Sequence, residues 1–375
     1  MKIQEVTYYN KALGWRFEPI EFGQLSLLVG ISGVGKTQII RGIADLKKVA
    51  NGKSLNGVCW NITFVSSGLK YRWEGEFEVQ NVEVFIDGDE DEDRYKIISE
   101  YVYKENELLI ERDGSNVKFK DRELPKLSPF KSMVEVLSEE DDISPIQQGF
   151  DRVFYRRPMD NVTAEIHVGI PYEILSEKYS TITSVQESDL PTQVKLGLTY
   201  KCFPDVFSQI KYRFTNIFPQ VEDIKLEPVK EKRLPFLVTE FPFLYIKEKG
   251  VDSWIFQKSI SSGMYKTLMQ ITDLYLLPDN SLVLIDEFEN SLGVNCIDVL
   301  TEDLLSDRRG MQFILTSHHP YIINNIDLTD WKIVTRKGGI VRVKDAEQLH
   351  LGRSKHQAFI QLMNLDEYRE GIEIE

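Results

Sequence analysis

The chain has 375 residues, 42% of them hydrophobic and 28% charged, an ordinary globular composition long enough for two units or for one domain with a large insertion. A formal charge of -14 excludes a surface uniformly attractive to nucleic acid or anionic lipid. Three scattered cysteines (Cys59, Cys202, Cys296), a start at Met1–Asn10 without an apolar core and no run of membrane-spanning length set the expectation of a reducing, cytoplasmic protein with no membrane partner.

In chain order, Ile3–Tyr9 and Glu21–Val29 read as strands, the second buried towards its end. Gly30-Ile31-Ser32-Gly33-Val34-Gly35-Lys36-Thr37 follows and satisfies the phosphate-loop pattern G-x-x-x-x-G-K-[ST] in full. Thr37–Ala50 carries Ile39, Ile40, Ile43 and Leu46 at helical spacing, so the loop stands between a strand and a helix. That context explains each residue type. Gly30, Ser32, Gly33 and Gly35 belong to a loop whose glycines let backbone N–H groups turn inward around phosphates, and the helix N-terminus adds a favourable dipole. Lys36 brings a positive charge to the β- and γ-phosphates of ATP, and the Thr37 hydroxyl is a magnesium ligand.

Cys59–Phe64 and Leu69–Val79 alternate as a hairpin around Ser66-Ser67-Gly68. Asp87–Asp93 is an acidic, solvated loop. Ile97–Tyr103, Glu107–Arg112 and Val117–Lys120 form a short antiparallel meander. Ser128–Pro219 is mainly helical, with Phe207, Ile210, Phe214 and Ile217 on the packing face of a helix over Phe203–Phe218. Val221–Leu226 and Leu234–Lys247 return to strands. The final third alternates: helix Ser261–Leu276, strand Ser281–Asp286, helix Asn295–Leu305, strand Gln312–Thr316, then a hairpin of Trp331–Thr335 and Ile340–Val343. Continuous apolar strands between helices imply a largely parallel sheet covered on both faces. The expected organisation is an N-terminal part over 1–127, a helical insertion over 128–220 and a C-terminal part over 221–375.

The apolar run Leu282–Ile285 ends in Asp286 and Glu287. A strand buried on both faces does not end in adjacent carboxylates without partners, and a metal with a water molecule would supply them. Asp286 would hold magnesium, and Glu287 would orient or deprotonate the attacking water. Ser261 or Ser262 suits the N-cap of its helix.

Together with the phosphate loop, three further segments resemble the ABC-type ATPases of the SMC, RecF and OLD-like branch. Ile260-Ser261-Ser262-Gly263-Met264 is similar to the signature segment, with Ser261 and Gly263 at its serine and glycine positions. Asp286–Gly293 resembles the D-E-x-E-N-x-L-H stretch that contains the D-loop, with Gly293 in place of the usual histidine and Phe288 in place of a common proline or isoleucine. Thr316-Ser317-His318-His319-Pro320 resembles T-S-H-S-P, which puts His318 at the switch-histidine position, a γ-phosphate sensor, and His319 on a serine position. No Q-loop glutamine stands out; Gln80, after the first hairpin, is the candidate.

The resemblance implies an α/β P-loop NTPase fold: an ABC-type head with a mainly parallel central sheet, an antiparallel β subdomain and a helical insertion. It implies two heads face to face with Mg-ATP between them, the phosphate loop of one opposite Ser261 and Gly263 of the other, hence a homodimer or larger even assembly with slow, regulatory ATP hydrolysis. SMC proteins carry long coiled-coil arms between these motifs, whereas here the insert is compact, and the stretch after Pro320 is too short for the Toprim nuclease of OLD enzymes. Compact ATPases of this sort resemble the ATPase subunits of bacterial anti-phage systems, which work with a separately encoded effector, often a nuclease. Two other readings stay open. One is a RecF-like DNA repair or chromosome-maintenance ATPase that clamps DNA, with Arg152, Arg156, Arg157, Lys201 and Lys211 in a basic groove. The other is a P-loop kinase, which has no use for a trans-acting signature.

Overall fold

Alternating inward residues in β1 (Lys2–Asn10) and β2 (Trp15–Glu21) pair these strands antiparallel, and Tyr8 stacks on Trp15 and Phe17 with ring centroids 5.2 and 5.6 Å apart. The computed structural model describes residues 1–80, 95–156, 172–188, 190–228, 242–289, 309–349, 355–364 and 368. β3 (Leu25–Val29) is buried throughout and leads into α1 (Lys36–Ala50), whose Ile39, Ile40, Ile43, Leu46 and Val49 are fully buried. The single strand expected over Glu21–Val29 is in fact two. The Phe22 N–H turns back to the Gln4 carbonyl and the Gly23 N–H to the Ser26 hydroxyl, so β2 and β3 leave for different neighbours.

An antiparallel meander follows: β4 (Val58–Ser66), β5 (Leu69–Phe77), β6 (Ile97–Lys104), β7 (Glu107–Asp113), β8 (Asn116–Phe119) and β9 (Arg122–Glu123). Ser67 and Gly68, both at positive φ (51° and 79°), make the expected tight turn between β4 and β5. Beneath the meander lies a buried polar cluster. Glu100 accepts hydrogen bonds from Trp73 Nε1 (2.9 Å), the Met133 N–H (2.8 Å) and the Ser132 hydroxyl. Arg112 donates to the carbonyls of Lys131 (2.9 Å) and Ser128 (2.8 Å). The cluster ties the start of α2 (Met133–Val136) to the sheet; α3 (Ser144–Asp151) comes next. Val153–Arg156, expected within a mainly helical stretch, forms β10 and pairs parallel with β14 (Leu282–Ile285).

The chain divides into two compact units, and what has been described so far belongs to the first: Met1–Arg157, Asn280–Phe288 and Asp307–Glu375. The second holds Pro158–Asp279 and Glu289–Ser306. It contains α4 (Tyr172–Lys178), α5 (Ile182–Gln186), α6 (Thr192–Cys202), α7 (Pro204–Ile217), the antiparallel sheet β11 (Val221–Glu227), β12 (Phe243–Glu248) and β13 (Ile255–Phe256), and α8 (Ser262–Leu276). Phe207, Ile210, Phe214 and Ile217 are the buried face of α7, as their spacing implies. The buried Gln193 amide accepts from the Tyr265 hydroxyl (2.6 Å) and donates to the Pro242 carbonyl (2.8 Å), fixing the first turns of α8 inside this unit.

The chain returns to the first unit with β14, β15 (Gln312–Thr316), α9 (Pro320–Asn325), β16 (Trp331–Lys337), β17 (Ile340–Asp345) and α10 (Lys355–Asn364). Among the described residues its strands form one 14-stranded sheet in the order β10-β14-β15-β3-β16-β17-β2-β1-β4-β5-β6-β7-β8-β9. The run from β10 to β16 is parallel, and the antiparallel β subdomain continues the same sheet through β17 and β2. Ile285 pairs with Leu315, Thr316 with Leu28 and Val29 with Ile333, so the carboxyl ends of β14, β15 and β3 lie along one edge. That edge is where open parallel sheets bind ligands. The acidic run Asp87–Asp93, the strand residues Leu234–Phe241, the D-loop residues Asn290–Gly293, Cys296 and the helix expected over Asn295–Leu305 lie outside the described residues. Among the described residues no helix is long and apolar enough to cross a membrane.

Candidate functional site

The phosphate loop is held by β16 and β17. A side chain at Gly30 would put Cβ 2.6 Å from the Val334 carbonyl oxygen. At Gly35, with φ at +108°, Cβ would meet Val341 Cγ2 at 2.6 Å. Glycine is therefore required at both places, by close approach at one and by close approach and backbone conformation at the other. α1 starts at this glycine without a side-chain cap, which leaves its first N–H groups to an anion. Lys36 is buried, and its Nζ donates to the carbonyls of Gly30 (2.6 Å) and Ile31 (2.8 Å) inside the loop.

The second wall comes from β14 and β15. Asp286 is buried, and its Oδ1 accepts from the Thr37 hydroxyl at 3.1 Å and the Thr316 hydroxyl at 2.8 Å. The Thr316 hydroxyl in turn accepts from the Glu287 N–H at 2.7 Å, and the Thr316 carbonyl from the Phe288 N–H at 3.0 Å. These bonds hold Glu287 at φ +52°, a left-handed conformation that costs a non-glycine residue about 1–3 kcal/mol. The strain turns its side chain to solvent beside the buried Asp286, so the two adjacent carboxylates have opposite environments.

The two histidines of the T-S-H-H-P segment separate in the same way. His319 caps α9, its Nδ1 accepting the Tyr321 N–H at 3.3 Å, while His318 is exposed on the cavity wall. A cavity of about 300 Å³ is lined by Ser32, Gly33, Gly35, Lys36, Thr37, Gln38, Asp286, Glu287, Thr316, His318 and Arg336. The fold thus gathers the phosphate loop, the carboxylate pair and His318 at one place, with Gly30 reaching it through Lys36. Ser261 and Gly263 belong to the second unit, at the start of α8, where the exposed Ser261 accepts the Met264 N–H at 3.2 Å and serves as N-cap. Gln80 is exposed, bonded to Glu78 and Asn56, and absent from the cavity wall.

Thr316, Gln38 and Arg336 had no role assigned from the sequence. Thr316 was legible as the first residue of its motif; Arg336, at the end of a terminal strand, carried no local mark. Cys59 and Cys202 are free thiols, and burial pushes Cys59 up to about 11, well away from a reactive thiolate.

Among the described residues no group of three or more His, Cys, Asp or Glu is arranged to hold a metal unaided. A hydroxyl and a carboxylate 3.1 Å apart are hard oxygen donors that suit magnesium shared with phosphate oxygens and water, so the residues present fit the ion.

The fold is shared with solved SMC heads. An Smc head bound to the C-winged helix domain of ScpA superposes with a TM-score of 0.51 at 12% identity, over 92% of this chain and 97% of that one. An Smc head with an extended coiled coil bound to the C-terminal domain of ScpA, from Pyrococcus furiosus, gives 0.49 at 12% identity over 93% and 98%. The SMC head domain from Thermotoga maritima gives 0.42 at 13% identity over 92% and 99%. No curated protein resembles the chain significantly in sequence. Residues 25–324, from the strand that enters the phosphate loop to the helix behind His318, match the family described as "AAA domain, putative AbiEii toxin, Type IV TA system", and the chain belongs to that family, with the fold of an ABC-type, SMC-like ATPase head.

Proposed function

We propose that the chain binds Mg-ATP in this cavity and hydrolyses it slowly, as one half of a two-headed switch. The observation that carries the reading is the bonded chain Thr37–Asp286–Thr316–Glu287, which links the phosphate loop to an exposed carboxylate. Lys36 and the loop amides of Ser32, Gly33 and Gly35 bind the phosphates. Thr37 and Asp286 hold magnesium, which when bound offsets phosphate charge as a Lewis acid. Glu287 accepts a proton from the water that attacks the γ-phosphorus as the bond to the ADP oxygen breaks, and His318 contacts the γ-phosphate. Ser261 and Gly263 of a second copy complete the site, their hydroxyl and N–H groups at a helix start suiting a phosphate. The γ-phosphate then binds two subunits only in the closed pair, which is the differential affinity a switch needs.

In the cell this switch controls a separately encoded effector, such as a nuclease, in anti-phage defence; the toxin–antitoxin description of the family supports that role. Of the basic residues that the DNA-clamping alternative invokes, Lys211 is already paired, with Asp223 at 2.5 Å, and the side chains of Arg156 and Arg157 lie outside the described residues.

Glu287→Gln with Mg-ATP tests the proposal by light scattering. Removing the base should trap an ATP-bound dimer. A variant that binds ATP and stays monomeric overturns the two-headed switch; one that binds no ATP overturns the site. Hydrolysis stimulated by DNA with a steep salt dependence would restore the clamp.

A further inference from the structure

The cavity wall contains a cation that this mechanism does not use. Arg336 stands near the end of β16, half-buried, and its Nε donates to the Gly338 carbonyl at 2.7 Å in the turn to β17. Its two terminal nitrogens have no partner among the described residues. The same wall holds Gln38, whose buried Oε1 lacks a donor. Anchored by one nitrogen, the guanidinium keeps a two-pronged donor edge, the geometry that suits phosphate oxygens or a sugar hydroxyl.

Sheet order says which end of the nucleotide this edge meets. The strands run β14-β15-β3-β16. Asp286 and His318 follow β14 and β15 on one side of the phosphate-loop strand, and Arg336 ends β16 on the other. Three strand spacings, about 14 Å, separate β14 from β16. With magnesium and the γ-phosphate on the β14 side, Arg336 is placed for the opposite end. We propose that Arg336 binds the α-phosphate and ribose end of the nucleotide, and so holds ATP and ADP alike. The inference rests on the Mg-ATP reading of the cavity. Its consequence is a head that keeps its nucleotide through hydrolysis. Binding that is equal in substrate and product adds affinity without favouring the chemical step, and the γ-phosphate alone then decides the state.

Equilibrium titration of the full chain with Mg-ATP and with Mg-ADP tests this, for wild type, Arg336→Ala, Arg336→Lys and Lys36→Ala. Losing the charge-assisted bonds in Arg336→Ala should weaken both nucleotides by about tenfold, leaving the ATP-to-ADP affinity ratio within about twofold of wild type. Arg336→Lys, with charge but no fork, should fall between. Normal affinity for both nucleotides in Arg336→Ala, while Lys36→Ala loses ATP, overturns this inference and leaves the cavity reading standing. Loss of ATP alone overturns it too, by moving Arg336 to the γ-phosphate. Normal ATP binding by Lys36→Ala removes the cavity reading and this inference with it. If Arg336→Ala melts early, Arg336→Lys and Arg336→Gln carry the same comparison.

Discussion

The Thr37 hydroxyl lies 3.1 Å from Asp286 Oδ1, a contact between residues 249 positions apart. It exists because β3 and β14 end at the same sheet edge with β15 between them. Asp286→Asn keeps the shape of this junction and removes its charge. ATP turnover should fall by at least about 100-fold, and magnesium should no longer raise ATP affinity. ATP titrations with magnesium or with EDTA check this; an undiminished magnesium effect would remove Asp286 from the metal site.

Thr316→Val removes the hydroxyl that bonds both Asp286 and the Glu287 N–H while keeping the volume. Losing those two hydrogen bonds should cost about 1–3 kcal/mol of stability. With Glu287 released from its backbone position, kcat should fall by at least about tenfold while KM for ATP changes little. Steady-state kinetics separates the two; a change confined to KM would make Thr316 a binding residue.

Glu287 holds a left-handed backbone at φ +52°. Glu287→Gly should therefore raise stability by about 1 kcal/mol in urea titrations as it abolishes turnover, whereas Glu287→Gln abolishes turnover without the gain. Equal stability of the two variants would show that the strain is relieved elsewhere.

Burial raises the Glu100 carboxyl above its usual 4.5, against the opposing pull of the Met133, Ser132 and Trp73 hydrogen bonds and of the Arg112 charge. The folded chain thus binds this proton more readily than the unfolded chain. The stability it contributes is fully present below the unfolded value and is lost as pH rises through the raised folded value. Glu100→Gln removes the titration, so the stability of wild type relative to that variant should decline across this window, measured by urea titration at several pH values. Glu100→Ala, which takes the acceptor from the Trp73, Ser132 and Met133 donors, should cost about 3 kcal/mol or more at low pH and less as pH rises through this window.

The readable parts of this protein are those whose cause is local. The glycines of the phosphate loop, the buried runs of β3, β14 and β15 and the helical spacing of Phe207, Ile210, Phe214 and Ile217 each express a backbone requirement within a few residues. The misread parts depend on distant partners. Nothing within Glu21–Val29 says that its two ends join different neighbours, and nothing within Val153–Arg156 says that it will edge a sheet beside β14. Alternation reports which face of a strand is buried, not which strand lies next to it.

Residue order alone sets out the chemistry on offer: a phosphate loop, a carboxylate pair after an apolar strand, a serine-glycine helix start and His318. How these groups are used follows from the folded chain. It buried Asp286 and exposed Glu287, gave His319 to a helix cap and His318 to the cavity, and brought in Arg336. The reason is physical. Residue type sets what a group can donate, accept or carry, whereas its burial, strain and partners come from strands paired across more than 200 positions of chain, as β3 is with β15.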